Sequence, residues 1–272
     1  MRVLMFSGRA GLAAIALWAG LTGCTTVQSG DPYWGRDVRL APGWARVRQA
    51  AADAARSPFT WAPVLGALAV QAYDMDNQIA EEAMKDTPIF GSTRGAEHAS
   101  DVLRTTSWVL YGTTGSLAPY PDSEPAWGAK LEGFAVGIAA MGTTVGFTAG
   151  LKEVTERQRP NLRDDRSFPS GHASNTALVS RLTQRNLEYF DLAPGSRGAL
   201  NAGLGLISAM TAWARVEAGA HHPSDVLMGS ALGNFFGIFF QDAFLGRAGN
   251  PALQMRFEVS RGRVLTHVNW DL

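Results

Sequence analysis

Along most of this chain the apolar positions return at helical intervals, and only the C-terminal end alternates. The periodicity predicts helices over Trp44–Arg56, Trp61–Ala72, Asn77–Lys85, Ala96–Tyr111, Trp127–Arg157, Ser170–Tyr189, Arg197–Ala214 and Pro223–Phe244. Breaks are expected at Pro63, Pro88–Gly91, Pro119–Pro125, Pro160–Pro169 and Pro194–Gly195. Beyond them Met255, Phe257 and Val259 alternate with polar residues, Arg261-Gly262 can turn, and Val264, Thr266, Val268 and Trp270 alternate again. The expected fold is therefore all-α, a helical bundle with a small C-terminal β-hairpin.

Three helical stretches carry no charge for a long way: Gly133–Leu151, Gly198–Ala214 and Val226–Gln241. Uncharged is not the same as apolar, because the first holds five glycines and three threonines, and mean hydropathy over the chain is only −0.04. The last two fall short of the roughly 20 residues a bilayer span needs. Buried helices of a bundle are the expectation, since helices apolar all round also occur in soluble cores.

Composition narrows the class. The 272 residues are 46% hydrophobic, enough for a sizeable core, and 24 basic residues balance 24 acidic ones. No basic run of the kind that binds nucleic acid is present. Cys24 is the sole cysteine, so an internal disulfide and a thiolate zinc site are both excluded. Arg2 and Arg9 precede the short apolar run Gly11–Leu21, the pattern of an export signal rather than a span. Leu21-Thr22-Gly23-Cys24 resembles the lipobox of bacterial lipoproteins, which implies cleavage before Cys24, its acylation, and an outer-membrane address facing the periplasm, since Thr25 follows it. The chain then divides into a leader over 1–23, an anchor and Pro/Gly-containing linker over 24–43, a helical domain over 44–250 and the hairpin over 251–272.

Three polar islands interrupt the helices, and together they read as a phosphate site. Lys152 and Arg159 are seven residues apart, which on one helix face would aim both cations at one anion before Pro160 ends the helix. Ser170 is a good N-cap, and Gly171 bares the first-turn N–H groups for phosphate oxygens, with His172 in the same turn. Arg215 follows the next helix, Gly219 interrupts it, and His221 can swing back; Pro223 opens another helix and sets Asp225 to hold the ring N–H of His221.

These residues resemble the type 2 phosphatidic acid phosphatase superfamily, which includes class A acid phosphatases, lipid phosphatases and vanadium haloperoxidases. The likeness is carried by Lys152-(six)-Arg159-Pro160, by Pro169-Ser170-Gly171-His172, and by Arg215-(five)-His221-(three)-Asp225. Ala214 stands where the family has Ser or Thr, and Asn161–Phe168 is a shorter connection than usual. The resemblance implies a phosphomonoesterase without cofactor or metal. His221 would be the nucleophile, Asp225 its orienting carboxylate and His172 the acid and base, while Lys152, Arg159, Ser170, Gly171 and Arg215 hold the phosphoryl oxygens. It leaves lipid and soluble phosphate esters open as substrates, and a haloperoxidase or an inactive envelope lipoprotein as rivals.

Other polar residues have plainer readings. His222 is expected to line the pocket wall, Asp74, Asp76 and Asn77 to be solvated or to cap a helix, and His98 and His267 to be structural or exposed. Arg163, Asp164, Asp165 and Arg166 either touch substrate or face solvent.

Overall fold

The structure is a computed structural model; it describes residues 33–35, 37–120 and 126–246, and the backbone of 253–260 and 263–270. The leader, Cys24 and the Arg261-Gly262 turn lie outside the described residues. Eight α-helices are described: α1 Trp44–Arg56, α2 Pro58–Ala72, α3 Asp76–Asp86, α4 Thr93–Leu117, α5 Ala126–Thr155, α6 Gly171–Asn186, α7 Pro194–Glu217 and α8 Pro223–Phe240. A 3-10 turn, Leu187–Tyr189, continues α6, and a π-turn, Gln241–Leu245, continues α8. Strands β1 Leu253–Ser260 and β2 Arg263–Trp270 pair antiparallel, Leu253 opposite Trp270 and Ser260 opposite Arg263.

Two expected boundaries move. Helix α2 runs through Pro63; the residue four earlier, Phe59, is exposed, so the carbonyl that loses its partner can turn to water. Helix α5 stops at Thr155 rather than Arg157, because Glu156 takes a left-handed φ of 42°. Arg159 is therefore on a loop, and the shared helix face expected for Lys152 and Arg159 does not exist.

At the centre α8 lies directly on α6. Gly229 and Gly233 make this approach possible: a Cβ at Gly229 would sit 2.5 Å from the Ser170 carbonyl oxygen, and one at Gly233 would sit 2.1 Å from that of Ser174. Gly229 thus meets the start of α6, and Gly237, further along α8, meets Arg181, so the two helices run in parallel. Both N-termini, with their unpaired N–H groups and positive dipole ends, come to the same end of the molecule. The core beside them joins Tyr111 of α4, Val136 and Ala140 of α5, Leu178 and Leu182 of α6, and Phe240.

Helix α5 is not the buried core helix that its lack of charge suggests. It buries a narrow stripe through Val136, Ala140, Thr144 and Thr148, while Leu131, Ile138, Val145, Phe147 and Val154 are exposed. Among the described residues it is the one helix long and apolar enough to cross a membrane, and only 28% of its apolar window is buried. The stripe is made of small residues, so one side packs closely, while most of the remaining circumference is exposed among the described residues, with Phe147 meeting the Phe236 ring of α8. The uncharged stretch of α8, by contrast, lies against both α6 and α2.

Candidate active site

The three polar islands meet where α6 and α8 begin. Helix α7 ends at Glu217, Gly219 turns the chain at φ +65°, and the amides of Ala220 and His221 both donate back to the Arg215 carbonyl, at 3.1 and 3.2 Å. A side chain at Gly219 would strike Met84 and Asn161, so the turn needs glycine twice over. His221 is thereby folded back beside Arg215 and buried. Ser170 caps α6, its hydroxyl accepting from the Ala173 N–H, and its own N–H donates to the Asp225 carbonyl at 3.0 Å. A side chain added at Gly171 would meet nothing within 4 Å, so the first turn of α6 is open on that side.

The partner of His221 is not the one the spacing suggests. Its Nδ1–H donates to the Ser167 carbonyl at 2.5 Å, while the nearest Asp225 oxygen is 3.9 Å away. Asp225 is already saturated. It accepts the His222 backbone N–H at 2.8 Å, the Ser167 hydroxyl at 2.5 Å and Arg157 at 2.5 Å, and His222 Nδ1 lies 3.2 Å from it. As residue N3 of α8 it completes a capping box with His222, so helix capping uses the lone pairs expected to face His221. His222 is accordingly a buried cap rather than a pocket wall. The bond from Nδ1 fixes the His221 tautomer and leaves Nε2 with its lone pair.

Arg157 is the residue that spacing alone misses. It bridges Asp225 and Asp76, the latter at 2.7 Å, and Asp76 is buried rather than solvated. Asp76 also accepts the Ser224 N–H at 2.8 Å, so it does cap a helix, but α8 rather than its own. Gln71 donates to both Asp76 and Ser224, closing the network. Arg157 lies in the spacer between Lys152 and Arg159, and its sequence signal is a third cation beside a motif.

The cations surround His221. Lys152, in the last turn of α5, donates to the Arg166 carbonyl, and Arg159 Nε donates to Asp164 at 2.6 Å. Arg215 Nη1 donates to the Ser100 hydroxyl at 3.1 Å, while its buried Nε has no protein partner. Arg163 and Arg166 sit further out, paired with Glu97 and Glu153. Burial, then the Lys152 charge, holds the His221 ring well below its ordinary pKa, with Arg215 and Arg159 acting in the same sense. Burial and Arg159 lower Lys152 to about 8. His172, in the first turn of α6, is brought down to about 4 by burial and by Arg215, against the opposing bond from its Nε2 to Asp101 at 2.9 Å. For Asp225 burial acts upward, but the His222 bond, Arg157 and the Ser167 hydroxyl outweigh it and hold the carboxyl down to about 2. Among the described residues no three His, Cys, Asp or Glu side chains are grouped to hold a metal. The arrangement is a neutral buried imidazole under three cations, beside a second histidine and two helix N-termini, which suits attack on an anionic phosphorus centre.

Comparison with known proteins agrees with this geometry. The family model of the PAP2 superfamily matches residues 133–246, which contain all three polar islands. The matched stretch ends before β1. A lipid A 1-phosphatase of Porphyromonas gingivalis is 33% identical over 119 residues, covering 43% of this chain but 24% of that protein, so the chain spans about a quarter of the length of this relative. The crystal structure of a transmembrane PAP2 type phosphatidylglycerolphosphate phosphatase from Bacillus subtilis superposes with a TM-score of 0.52 at 20% identity, over 68% of this chain and 95% of that one. The helical bundle is thus the PAP2 fold.

Proposed function

We propose that this chain is a phosphomonoesterase of lipid phosphates that works without a metal, through a phosphohistidine on His221. The observation that carries the reading is the field of Lys152, Arg215 and Arg159 falling together on one buried, neutral imidazole. Like charges brought together repel, and an anion relieves them; the unpartnered Arg215 Nε is a donor aimed at that role. In the first step His221 Nε2 forms a bond to phosphorus as the P–O ester bond breaks, and the departing oxygen takes a proton from His172. In the second, water attacks phosphorus, gives its proton to His172 and breaks the P–N bond. The positive charge gained by the His221 ring is met by the Ser167 carbonyl and, at longer range, by Asp225. Lys152, Arg159, Arg215, the Ser170 hydroxyl and the Gly171 N–H hold the phosphoryl oxygens, supplying the charge that metal ions supply elsewhere.

Lipid phosphates are favoured over soluble esters because the exposed apolar face of α5 leads straight to Lys152. The two relatives, named for lipid A and for phosphatidylglycerolphosphate, point the same way. An acyl anchor on Cys24 would hold the site at a membrane; fatty-acid labelling in cells should be lost in Cys24→Ser, and persistent labelling would remove the anchor from the proposal.

The chemistry is tested by trapping. Purified protein given a labelled phosphate ester should yield an acid-labile, base-stable phosphoenzyme that is absent in His221→Ala, together with activity that survives chelators and is inhibited by vanadate. Hydrolysis should be faster with phosphatidic acid or phosphatidylglycerol phosphate in micelles than with glycerol phosphate. Label on a serine, or full activity in His221→Ala, would overturn the mechanism. Bromide oxidation by the vanadate-loaded protein without ester hydrolysis would move the assignment to a haloperoxidase.

A further inference from the structure

We infer that Asp101, on α4 and outside the stretch that matches the family, is a positioning residue that makes His172 a competent acid. The inference rests on the phosphatase reading above. Its basis is geometric: His172 Nε2 lies 2.9 Å from Asp101 Oδ1, and this is the bond the structure gives that ring. Because a carboxylate only accepts, the proton of this bond belongs to Nε2, and Nδ1 is the nitrogen left to exchange a proton with substrate.

The rest of the surroundings work against an acid. His172 is largely buried, and the charged groups that face it are Arg215 from α7 and Arg104 and Asp101 from α4. Two of the three are cations, so Asp101 alone favours the imidazolium. The site needs that form at the moment the P–O bond breaks, when the electron pair goes to the ester oxygen and Nδ1–H supplies its proton. Afterwards neutral His172, its Nε2–H still on Asp101, presents the Nδ1 lone pair to the incoming water.

The position of Asp101 is built rather than incidental. Its neighbour Ser100 accepts from Arg215 at 3.1 Å, so consecutive residues of α4 serve the phosphoryl-binding cation and the acid. The lead-in to α4 is pinned in turn by buried Glu217, which accepts the N–H groups of Ile89 and Phe90, each at 3.0 Å. Asp101 itself is half-exposed and pairs with Arg104 at 3.4 Å, so an isosteric change there should leave the fold intact.

The test compares leaving groups. Asp101→Asn keeps the shape and a weak acceptor but removes the charge. With an alkyl phosphate, whose leaving oxygen needs a proton, kcat/KM, which reports the P–O-cleaving step and not the later water attack shared by all esters, should fall about 10²-fold, the lower end of what general acid catalysis supplies. With nitrophenyl phosphate, whose leaving group needs none, it should fall less than about 3-fold by the same principle. Since Asp101 raises the basicity of His172, its loss should also move the alkaline limb of kcat/KM with the alkyl ester to lower pH. A structural role would lower both esters alike and leave that limb in place, and such a result, or no loss with either ester, overturns the inference. Ring-proton NMR of His172 in Asp101→Asn should show the titration shifted to lower pH, and an unshifted titration would also overturn it. Should the wild type hydrolyse neither ester, the phosphatase reading fails, while the NMR titration still decides whether Asp101 sets the basicity of His172.

Discussion

The two histidines of the site are held in opposite ways. His221 is fully enclosed, and its partner is a backbone carbonyl, Ser167, which neither titrates nor turns away. His172 is partly open, and its partner is a carboxylate on a different helix, more than half exposed. The difference fits the two jobs. A nucleophile must present the same nitrogen in every cycle, and a bond from a fixed carbonyl ensures this without adding a buried negative charge. An acid must change protonation state twice per cycle, and a carboxylate partner responds to that change whereas a carbonyl does so only weakly. The rigidity of the first arrangement depends on residues further out: the segment carrying the Ser167 carbonyl is fixed by its hydroxyl on Asp225 and its N–H on the Arg157 carbonyl, and Arg157 is fixed by two carboxylates.

The largest effect should therefore come from Arg157, on the rigid side. Arg157→Met leaves Asp76 and Asp225 with uncompensated buried charge, a loss of about 3–5 kcal/mol by the behaviour of broken buried pairs. Urea unfolding should show this loss, and kcat should fall with both alkyl and nitrophenyl esters, because Asp225, which holds the Ser167 hydroxyl, loses the guanidinium that anchors it and the Ser167 carbonyl is held less firmly. Adding Asp76→Asn should restore part of the stability by removing one of the two stranded charges. If Arg157→Met kept wild-type stability, or if its activity loss spared nitrophenyl phosphate, the contrast between the two histidines would be wrong.

Much of this is legible in the sequence, but unevenly. The helices are visible because their apolar spacing is local, and the N-cap role of Ser170 and the turn at Gly219 follow from residue type. The separation of Lys152 and Arg159 onto helix and loop is not visible, since nothing in Glu156 announces a left-handed residue four positions before Pro160. Interval alone pairs Asp225 with His221, yet at the third position of α8 Asp225 also meets the demand of the helix terminus, and the cap prevails. Asp76 and Asp101 cannot be found from spacing at all. They lie on α3 and α4, far from the motifs in sequence, and reach the site only because α4 packs on α6 and α7 and α3 lies beside α7 and α8. The exposed face of α5 is hidden for a related reason: absence of charge along a helix does not say how many neighbours it has.

The smaller effect is that of acid, and it sharpens the contrast because the groups involved sit on both sides of the site. Asp225 is held down to about 2 against an ordinary 3.8, so its charged form stabilises the fold above the ordinary value, and that contribution is lost as pH falls through about 2. His172 is held down to about 4 against 6.5, which favours its neutral form in the folded state. The unfolded chain then binds the extra proton first, so stability is complete above 6.5 and declines as pH drops through about 4. The His172 contribution is on the order of 2–3 kcal/mol, because each tenfold change in proton affinity corresponds to about 1.4 kcal/mol and the partly open ring feels some solvent screening. Urea unfolding between pH 7 and 4 should thus show a steady loss of stability owed to His172 together with His221, whose buried ring is depressed in the same sense, with the Asp225 contribution appearing only below that range. His172→Gln, which cannot titrate, should make the profile between pH 7 and 4 shallower, leaving the part owed to His221 and the steeper fall at lower pH. Added inorganic phosphate should oppose the loss near pH 5, because a bound anion favours protonated His172 and so raises its pKa toward the ordinary value. A profile that stayed equally steep in His172→Gln would show that other groups carry the acid sensitivity, and that His172 is not the half of the site poised to change its charge.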